Sequence, residues 1–347
     1  YGRGVSSNPR NRFESRDLVP GPDWDPSEDP SPETIVFEDD SKSLISTQDS
    51  LDIPFHASLN PYRGCEHGCI YCYARLYHEF LGFSAGLDFE TKLLAKRNAP
   101  ELLRRELSSP SWKPQALACS GVTDCYQPIE RRLRLTRACI EVLAEFRNPV
   151  GFITKNRLIT RDIDQFRRLA EHHAVSVTIS VTSLRPELAR DLEPRASVPA
   201  ARLAAIRELA DAGIPVGVNV APIIPGLTDS EIPAILAAAA KAGAQYAGFT
   251  MVRLPHGVAD LFSAWLDRIA PDAKNKILHR IQSMRDGKLN DARFGTRMTG
   301  EGIFSEQIIQ MFELARRRNG LDRDHAPLST AAFRSPHGKQ LSLFDPP

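Results

Sequence analysis

Short apolar runs of β-forming residues recur along the middle of the chain, and each is followed by a segment with helical periodicity. A first strand is predicted within FHASLNPY (55–62). The later runs are QALACS (115–120), PVGFIT (149–154), VSVTISVTS (175–183), IPVGVNVAPII (214–224) and YAGFTMV (246–252). Strands that are apolar almost throughout and alternate with helices indicate parallel βαβ units.

The helical segments between these runs place their apolar residues on one face. The faces are formed by Ile163, Phe166 and Ala170, by Leu203, Ile206 and Ala210, and by Ile232, Ile235, Leu236 and Ala239. The pattern gives about six β/α units, fewer than the eight of a closed barrel. It predicts a partial (β/α)6 barrel or an open doubly wound sheet. In both architectures the chemistry lies beyond the carboxyl ends of the strands.

The composition changes at both ends of the chain. Residues 1–50 are rich in Pro, Asp, Glu and Ser, which predicts an extended or disordered arm. Residues 51–260 hold the β/α units, and residues 261–320 have helical periodicity that predicts a cap on the open end of the sheet. Residues 321–347 are polar and predict a flexible tail.

Charge and hydrophobicity narrow the classes of function. The 347 residues include 42% hydrophobic and 25% charged residues and carry a net charge of +1, so no global field draws the chain to nucleic acid or membrane. No apolar run reaches the roughly 18 residues of a membrane span. The start has no apolar stretch typical of a secretory signal. With six cysteines and no disulfide framework, we expect a cytoplasmic protein.

Three of the six cysteines lie close together just after the first predicted strand. Cys65, Cys69 and Cys72 have the spacing C-x3-C-x2-C. Structural zinc prefers four ligands, often in two C-x2-C pairs, so zinc here would need a distant fourth ligand. An iron–sulfur cube held by three thiolates keeps one iron open for a ligand. Both metal sites are compatible with the spacing. A cube with an open iron would make this a reactive site, whereas zinc would only stabilise the fold.

The aromatic residue before the third cysteine, Tyr71, extends this pattern. A C-x3-C-x2-C loop with an aromatic in that place resembles the signature of the radical S-adenosylmethionine (SAM) superfamily. The resemblance implies a partial (β/α)6 barrel and a [4Fe–4S] cluster on the three cysteines. It further implies that the open iron chelates the amino and carboxylate groups of SAM, and that one electron, from a donor such as flavodoxin or ferredoxin, yields a 5′-deoxyadenosyl radical.

Within that superfamily the chain resembles spore photoproduct lyase and the DNA repair photolyase-like group. The resemblance spans roughly residues 50–260. Its carriers are NPYRGCEHGCIYCYAR, ACSGVTD, ITKN, TISVTSLRPELARDLEPRA and VAPIIPGLTD. It implies an enzyme that acts on a nucleic-acid base, with DNA as a partner.

The same resemblance implies a set of SAM-binding residues. They are Tyr71, Ser120, Gly121, Asp124, Lys155, Ser180, Arg195 and Pro222. By the resemblance, the loop after the second strand holds the amino group, Lys155 and Ser180 hold the methionine end, and the segment at 221–226 and Tyr71 lie near adenine. Arg195 is a second partner for the carboxylate. An ordinary βα turn and strand-end packing are the structural alternatives for the two loop segments.

Cys119 and Cys125 are candidate radical partners. The resemblance places a hydrogen-donating cysteine soon after the second strand, and a thiol suits this role because its S–H bond is weak. Here two extra residues precede Asp124, so the reaction of the lyase does not carry over directly. Cysteine is also among the most buried residue types and often only packs. Cys139 belongs to an apolar helical stripe and is expected in the core.

The end of the tail contains a second recognisable segment. Residues 340–344, QLSLF, resemble the short peptide by which bacterial DNA polymerases and repair proteins bind the replication sliding clamp. A tail can deliver such apolar anchors to a preformed pocket. The alternative is that Leu343 and Phe344 fold back on the domain.

Three hypotheses of function remain at this point. The first is a radical SAM enzyme that acts on a nucleic-acid base. The second keeps the chemistry but replaces the substrate by a protein or a small metabolite. The third is a zinc-stabilised, non-enzymatic adaptor that is recruited by the sliding clamp.

Overall fold

The computed structural model describes residues 2–14, 32–53, 55–322 and 327–335. The strands are β1 (Ile35–Glu38), β2 (Ile45–Thr47), β3 (Ala57–Leu59), β4 (Tyr62–Arg63), β5 (Lys92–Ala95), β6 (Leu117–Cys119), β7 (Val150–Thr154), β8 (Val175–Ser180), β9 (Val216–Ile223) and β10 (Tyr246–Met251). The helices are α1 (Leu76–Glu79), α2 (Leu87–Thr91), α3 (Ala99–Leu107), α4 (Glu130–Leu133), α5 (Leu135–Phe146), α6 (Ile163–Ala170), α7 (Pro186–Leu192), α8 (Pro199–Asp211), α9 (Ile232–Lys241), α10 (Gly257–Ile269), α11 (Pro271–Ser283) and α12 (Ile303–Arg318).

The main sheet confirms the predicted partial (β/α)6 barrel. Strands β3, β6, β7, β8, β9 and β10 are parallel and lie side by side in chain order, and β2 adds antiparallel to β3 at one edge. A doubly wound sheet would reverse its order at a switch point, which these strands do not. Among the described strands β10 pairs only with β9, so the barrel stays open.

The two faces of the sheet differ in chemistry. Alternate side chains point to opposite faces, and one set forms the core against the helices, including Val175, Val177, Ile179, Val216, Val218 and Val220. The other set is small or polar and lines the concave face, including Ser176, Thr178, Ser180, Gly217, Asn219 and Ala221. The strands therefore pack on one side only, and the concave side stays available for ligands.

A tyrosine covers the amino end of the concave face. The ring of Tyr246 lies 2.2–2.6 Å from the position that a Cβ on Gly217 would occupy. Its hydroxyl donates to the carbonyl of Val177 at 2.8 Å. Glycine is required at 217 because any side chain there would displace this ring.

The N-terminal segment is part of the fold where it is described. Strand β1 joins β5 and β4 in a small second sheet, and β2 joins the main sheet. The buried carboxylate of Glu90 accepts from the backbone nitrogens of Gly4 at 2.8 Å and Val5 at 3.2 Å, and pairs with the buried Arg75 at 2.5 Å. The arm predicted at 1–50 was extended or disordered with local ordered spots, and β1, β2 and these contacts are the ordered parts that the structure describes.

The C-terminal helices pack in two places. Helices α10 and α11 form an apolar cluster with the cysteine loop through Phe262 and Trp265. Helix α12 packs on α9, and Phe312 lies 4.6 Å from Phe249 between ring centroids. Among the residues that the structure describes, no helix is both long and apolar enough to span a bilayer. The predicted clamp peptide at 340–344 lies outside the described residues.

We expect Gly4→Ala to detach residues 2–14 from the cysteine loop. An added Cβ at position 4 would lie 1.8 Å from the carbonyl oxygen of Gly68, so the segment must move and lose both backbone hydrogen bonds to Glu90. Because hydrogen bonds to a charged group contribute about 1.5–3 kcal/mol each, amide exchange in this segment should accelerate roughly tenfold or more. Hydrogen–deuterium exchange measures this.

The neighbouring substitution Ser6→Ala is the matched control, because Ser6 is exposed. It should leave exchange in residues 2–14 unchanged. Equal protection in the Gly4→Ala protein would contradict the close contact with Gly68.

Candidate active site

The three clustered cysteines lie in a tight loop between β4 and a 3-10 turn at Tyr73–Arg75. The loop turns at Gly64 and Gly68, whose φ angles are +77° and +67°. Only glycine adopts this left-handed region without strain. A Cβ on Gly68 would also lie 2.7 Å from Oε2 of Glu90. The glycines around the cysteines are therefore a steric requirement of the loop.

The thiols of this loop are shielded from water. Cys65 and Cys69 are buried and Cys72 is partly buried. Burial raises the pKa of the Cys69 thiol well above its usual value, with the nearby Glu193 adding to the effect, and burial also raises the pKa of Cys72. Metal ligands must be thiolates, so a bound positive centre is what would stabilise the charged forms here.

The donor set fits an iron–sulfur cluster better than a single zinc ion. All six cysteines are free thiols, and Cys119, Cys125 and Cys139 lie in the core between sheet and helices, away from the loop. Within the described part of the chain, no group of three or more His, Cys, Asp or Glu side chains could hold a metal ion. A zinc site gathers four ligands within about 2.3 Å of one ion, whereas a cube takes each thiolate at a separate iron.

Asp124 braces the cysteine loop. Its carboxylate lies 3.3 Å from Nδ1 of the buried His67. It also accepts hydrogen bonds from Thr154 Oγ1 at 2.7 Å and from the backbone nitrogen of Lys155 at 2.8 Å. Burial opposes both charges, but the pairing raises the pKa of His67 to about 10, with Cys65 contributing, and lowers the pKa of Asp124 to about 2. Asp124 was predicted among the SAM ligands; in the structure its oxygens are engaged by His67 and by the end of β7.

Gln127 is a second brace that the sequence did not reveal. Its side chain accepts from the Glu66 nitrogen at 2.8 Å and donates to the Gly64 carbonyl at 3.1 Å. It follows the same β6 loop as Asp124. No spacing rule singles out a glutamine in this role, because only the folded loop brings it to the backbone of residues 64–66.

Glu193 is the central charged residue of the site, and the sequence analysis missed it. Its buried carboxylate accepts from the Tyr71 hydroxyl and, at 2.6 Å, from Thr182, and it pairs with the buried Arg202. Lys155 Nζ lies 3.7 Å away. Burial alone would raise the pKa of Glu193, but Arg202 and Lys155 lower it to about 2.

Arg195 does not join this group. It was predicted as a partner of the SAM carboxylate, yet its guanidinium lies 3.2 Å from Glu66 and lines a cavity of about 510 Å³ beside Arg3 and Arg132. The chain turns between Glu193 and Arg195, so Glu193 contacts Tyr71 and Arg195 contacts Glu66 instead. In this structure Arg195 is therefore engaged by Glu66, and its role toward SAM stays a prediction.

Lys155, Ser180 and Pro222 come together at the carboxyl ends of β7, β8 and β9. Lys155 Nζ donates to the carbonyl of Ala221 at 3.1 Å, next to Pro222. Ser180 is the last residue of β8 on the concave face. Lys155 and Ser180 therefore lie at one end of the concave face, with Pro222 next to Ala221 at the end of β9, and their role in binding SAM stays a prediction.

The loop after β6 is ordered by its own contacts. The Ser120 hydroxyl donates to the carbonyl of Thr123, and the Gly121 nitrogen donates to Asn60 Oδ1 at 3.0 Å. The Gly121 carbonyl accepts from the Tyr73 hydroxyl at 2.8 Å. These bonds hold the loop beside the residue that follows Cys72.

Cys119 and Cys125 face the helix layer. Cys119 has the same orientation as Leu117 and pairs in register with Phe152, and all three side chains belong to the core under the helices. The Cys125 thiol points at the Cys119 carbonyl at 3.8 Å and is fully buried. Both thiols thus lie on the side of β6 opposite to the concave face, and their role as hydrogen donors stays a prediction.

We expect Glu193→Gln to destabilise the protein by about 3–5 kcal/mol, because it removes the counter-charge of a buried arginine. Denaturant unfolding measures the difference in free energy. Glu208→Gln is the matched control, since Glu208 forms an exposed ion pair with Arg157 at 2.6 Å, and exposed pairs contribute about 0–1 kcal/mol. Equal effects of the two substitutions would contradict the account.

The effect of Glu193→Gln should also depend on pH. The pKa of Glu193 is lowered in the folded protein from 4.5 to about 2, so its contribution is present above the unfolded value and is lost as the pH falls through the folded value. The difference in unfolding free energy between the two proteins should be constant above pH 5 and shrink towards pH 2. A difference that grows on acidification would refute this.

The comparisons with known proteins agree with the geometry. The sequence model of the Radical SAM superfamily matches residues 59–239, which include the cysteine loop and strands β6 to β9. An uncharacterized protein of Mycobacterium tuberculosis is 39% identical over 232 residues, which cover 66% of this chain and 68% of that protein. An uncharacterized protein of Methanocaldococcus jannaschii is 28% identical over 173 residues, 50% of this chain and 62% of that protein.

Solved structures show the same fold. Spore photoproduct lyase complexed with dinucleoside spore photoproduct matches with a TM-score of 0.59 and 15% identity, over 82% of this chain and 78% of that chain. A double mutant of that enzyme with bound AdoMet and dinucleoside spore photoproduct matches with a TM-score of 0.55 and 17% identity, over 82% and 77%. Membership of an enzyme superfamily contradicts the hypothesis of a non-enzymatic adaptor. The chain belongs to the radical SAM superfamily of enzymes, and its fold is like that of spore photoproduct lyase.

Proposed function

We propose that this protein uses a [4Fe–4S] cluster to cleave SAM and that the resulting radical acts on a nucleic-acid base in DNA. The observation that carries the proposal is the position of the three thiols, two of them buried and one partly buried. They lie at the carboxyl ends of a partial barrel whose concave face is lined mostly by small or polar side chains, and Lys155 Nζ lies 6.0 Å from the ring centroid of Tyr71 in the same loop.

Each part of the cofactor site has candidate residues. Cys65, Cys69 and Cys72 would hold three irons. Lys155 and Ser180 would hold the methionine part of SAM, and Pro222 with Tyr71 would lie near its adenine. When bound, the cluster would supply the electron that splits the sulfonium into methionine and the 5′-deoxyadenosyl radical, which abstracts a hydrogen atom.

Lys155 is suited to bind a carboxylate. Its amino group is partly exposed and has a carbonyl and the carboxylate of Glu193 as neighbours. Arg202 already balances the charge of Glu193. A carboxylate from SAM would therefore find in Lys155 a cation that Glu193 orients but does not fully neutralise.

Burial of the thiol loop would protect the radical. Cys69 and Tyr71 belong to one buried apolar cluster with Phe262 and Trp265 of α10 and Ile277 of α11. Excluding water from such a site prevents side reactions of a reactive intermediate. The cysteine loop thus has an apolar, water-excluding cluster on one side and the open concave face of the sheet on the other.

The concave face has room for a substrate. Ile153 of β7 faces it and is 42% exposed, although it lies in the middle of the sheet. A flat apolar base could cover this side chain. The solved lyase structures with a dinucleoside photoproduct support a base as substrate, whereas a protein or a small metabolite is the alternative.

The proposal includes two protein partners and a cellular location. Residues 340–344 would bind a sliding clamp and so bring the enzyme to DNA, and a flavodoxin or ferredoxin would supply the electron. Free thiols at all six cysteines support a cytoplasmic enzyme.

Anaerobic reconstitution followed by an assay for 5′-deoxyadenosine tests the chemistry. The reduced protein should form this product from SAM, and Cys69→Ala should abolish its formation because the cluster loses a ligand. Cys139→Ala is the control, since Cys139 lies in the core of α5, away from the loop. Product formation without iron, or full activity in the Cys69→Ala protein, would refute the proposal.

Lys155→Met should weaken SAM binding without removing the cluster. A hydrogen bond to a charged group contributes about 1.5–3 kcal/mol, so we expect a roughly ten- to hundredfold rise in the KM for SAM. Iron content should remain that of the unchanged protein. An unaltered KM would show that Lys155 does not contact the cofactor.

The substrate class is tested by adding UV-irradiated DNA, untreated DNA or no DNA to the same assay. Faster product formation with irradiated DNA would support the base as substrate. Product formation that no DNA affects would leave the SAM chemistry intact and favour the protein or metabolite alternative.

A further inference from the structure

Three aromatic side chains lie exposed along one ridge outside the barrel. Phe80 is 67% exposed, Phe13 is 57% exposed and Tyr77 is 52% exposed. We name them the aromatic stripe. A group of exposed aromatic side chains close together indicates a binding surface, because contact of such side chains with water is unfavourable.

The stripe follows from the helical spacing after the cysteine loop. Tyr73, Tyr77 and Phe80 are separated by four and three residues, which places them on the same face of the turn at Tyr73–Arg75 and of α1. Tyr73 is itself partly exposed. The face therefore runs outward from the residue next to Cys72.

The outer end of the stripe is a rigid platform. The rings of Phe13 and Phe80 are stacked with centroids 4.7 Å apart, and the guanidinium of Arg12 lies 5.1 Å from the ring centroid of Phe13. Arg12 is held by Glu79 at 2.8 Å, and the Asn11 side chain donates to the carbonyl of Glu79 at 2.9 Å. Little conformational freedom remains to be lost when a ligand binds.

Tyr73, one helical turn before Tyr77, connects the stripe to the mouth of the barrel. The Tyr73 hydroxyl donates to the carbonyl of Gly121, after β6, and the guanidinium of Arg253, after β10, lies 4.4 Å from the Tyr73 ring centroid. Both segments follow carboxyl ends of barrel strands. A ligand lying on the stripe would thus extend towards the site beside the cysteine loop.

We propose that the aromatic stripe binds unpaired nucleotides of a DNA strand that flank the base in the active site. This inference rests on the proposed function and names the surface that its substrate would use. Aromatic faces interleaved with arginine are the surface on which bases of a single strand stack. Arg253 supplies a cation at the inner end, where a phosphate would pass, whereas Arg12 is paired with Glu79 and supports the ring of Phe13.

The composition of the stripe favours DNA over other partners. Its three members are aromatic, whereas a groove for an amphipathic peptide would present aliphatic residues as well. The net charge of +1 fits binding by stacking rather than by a broad basic surface. The affinity should therefore depend only weakly on salt, since few phosphates would be neutralised.

Fluorescence anisotropy of a labelled DNA single strand of about ten nucleotides tests the proposal on the reconstituted protein. Phe80→Leu keeps an apolar side chain but removes the ring, and should weaken binding roughly tenfold, the loss of about one stacked base. Phe80→Trp keeps a stacking face and should bind as the unchanged protein does. Thermal unfolding should show the same Tm in all three proteins, because Phe80 is exposed.

Phe304→Ala is the matched control. Phe304 is also exposed and paired with an arginine, Arg280, at 5.5 Å, but it lies on α12. It should leave binding unchanged. Equal loss in the Phe304→Ala and Phe80→Leu proteins, or no loss in Phe80→Leu, would overturn the proposal.

Two further outcomes decide the identity of the ligand. Tighter binding of an RNA strand of the same sequence, or of fully duplex DNA, would overturn the assignment to unpaired DNA. A protein that forms 5′-deoxyadenosine but does not bind the DNA strand would refute the stripe proposal and leave the radical chemistry standing. A protein that binds the strand through Phe80 but does not cleave SAM would refute the proposed chemistry alone.

Discussion

A single buried carboxylate connects the parts of the site. Glu193 contacts Tyr71 in the cysteine loop, Lys155 at the end of β7 and Arg202 on α8. A buried charge is tolerated only when partners and hydrogen bonds surround it. These partners come from three separate segments of the chain, so the loop that would hold the cluster and the cation that would hold SAM are positioned by the same group. The fold and the chemistry thus share one electrostatic constraint.

Steric constraint on the other side of the loop is equally strict. Gly68 fits between Glu90 and Gly4, and neither glycine has space for a side chain. The segment at residues 2–14 lies against the cysteine loop and continues to Phe13 on the aromatic stripe. This segment therefore contacts both the loop that would hold the cluster and the surface proposed for DNA, although, Phe13 apart, it is more than fifty residues from either in sequence.

The repeated apolar runs sufficed to predict all six barrel strands, because parallel strands buried by helices carry their signal locally. The cysteine loop and Lys155 could be predicted for the same reason, because each belongs to a local motif at the end of a strand. Glu193 was missed because a lone glutamate in LEPRA has no periodicity, and its importance comes from partners elsewhere in the chain. Whether Cys119 packs or faces a substrate was left open, because this depends on which face of β6 packs, and three residues of strand do not show that. Strands β1 and β2 were missed because they are short and largely exposed, and they lie in a stretch rich in Pro, Asp, Glu and Ser.

The central claim is that three thiolates hold a cube whose fourth iron is free for SAM. Electron paramagnetic resonance of the anaerobically reduced protein, recorded with and without SAM, tests it most directly. The account predicts a [4Fe–4S] signal that changes when SAM is added, because the ligand at the open iron alters. A signal that SAM does not change, or a protein that binds zinc and gives no iron–sulfur signal, would contradict it.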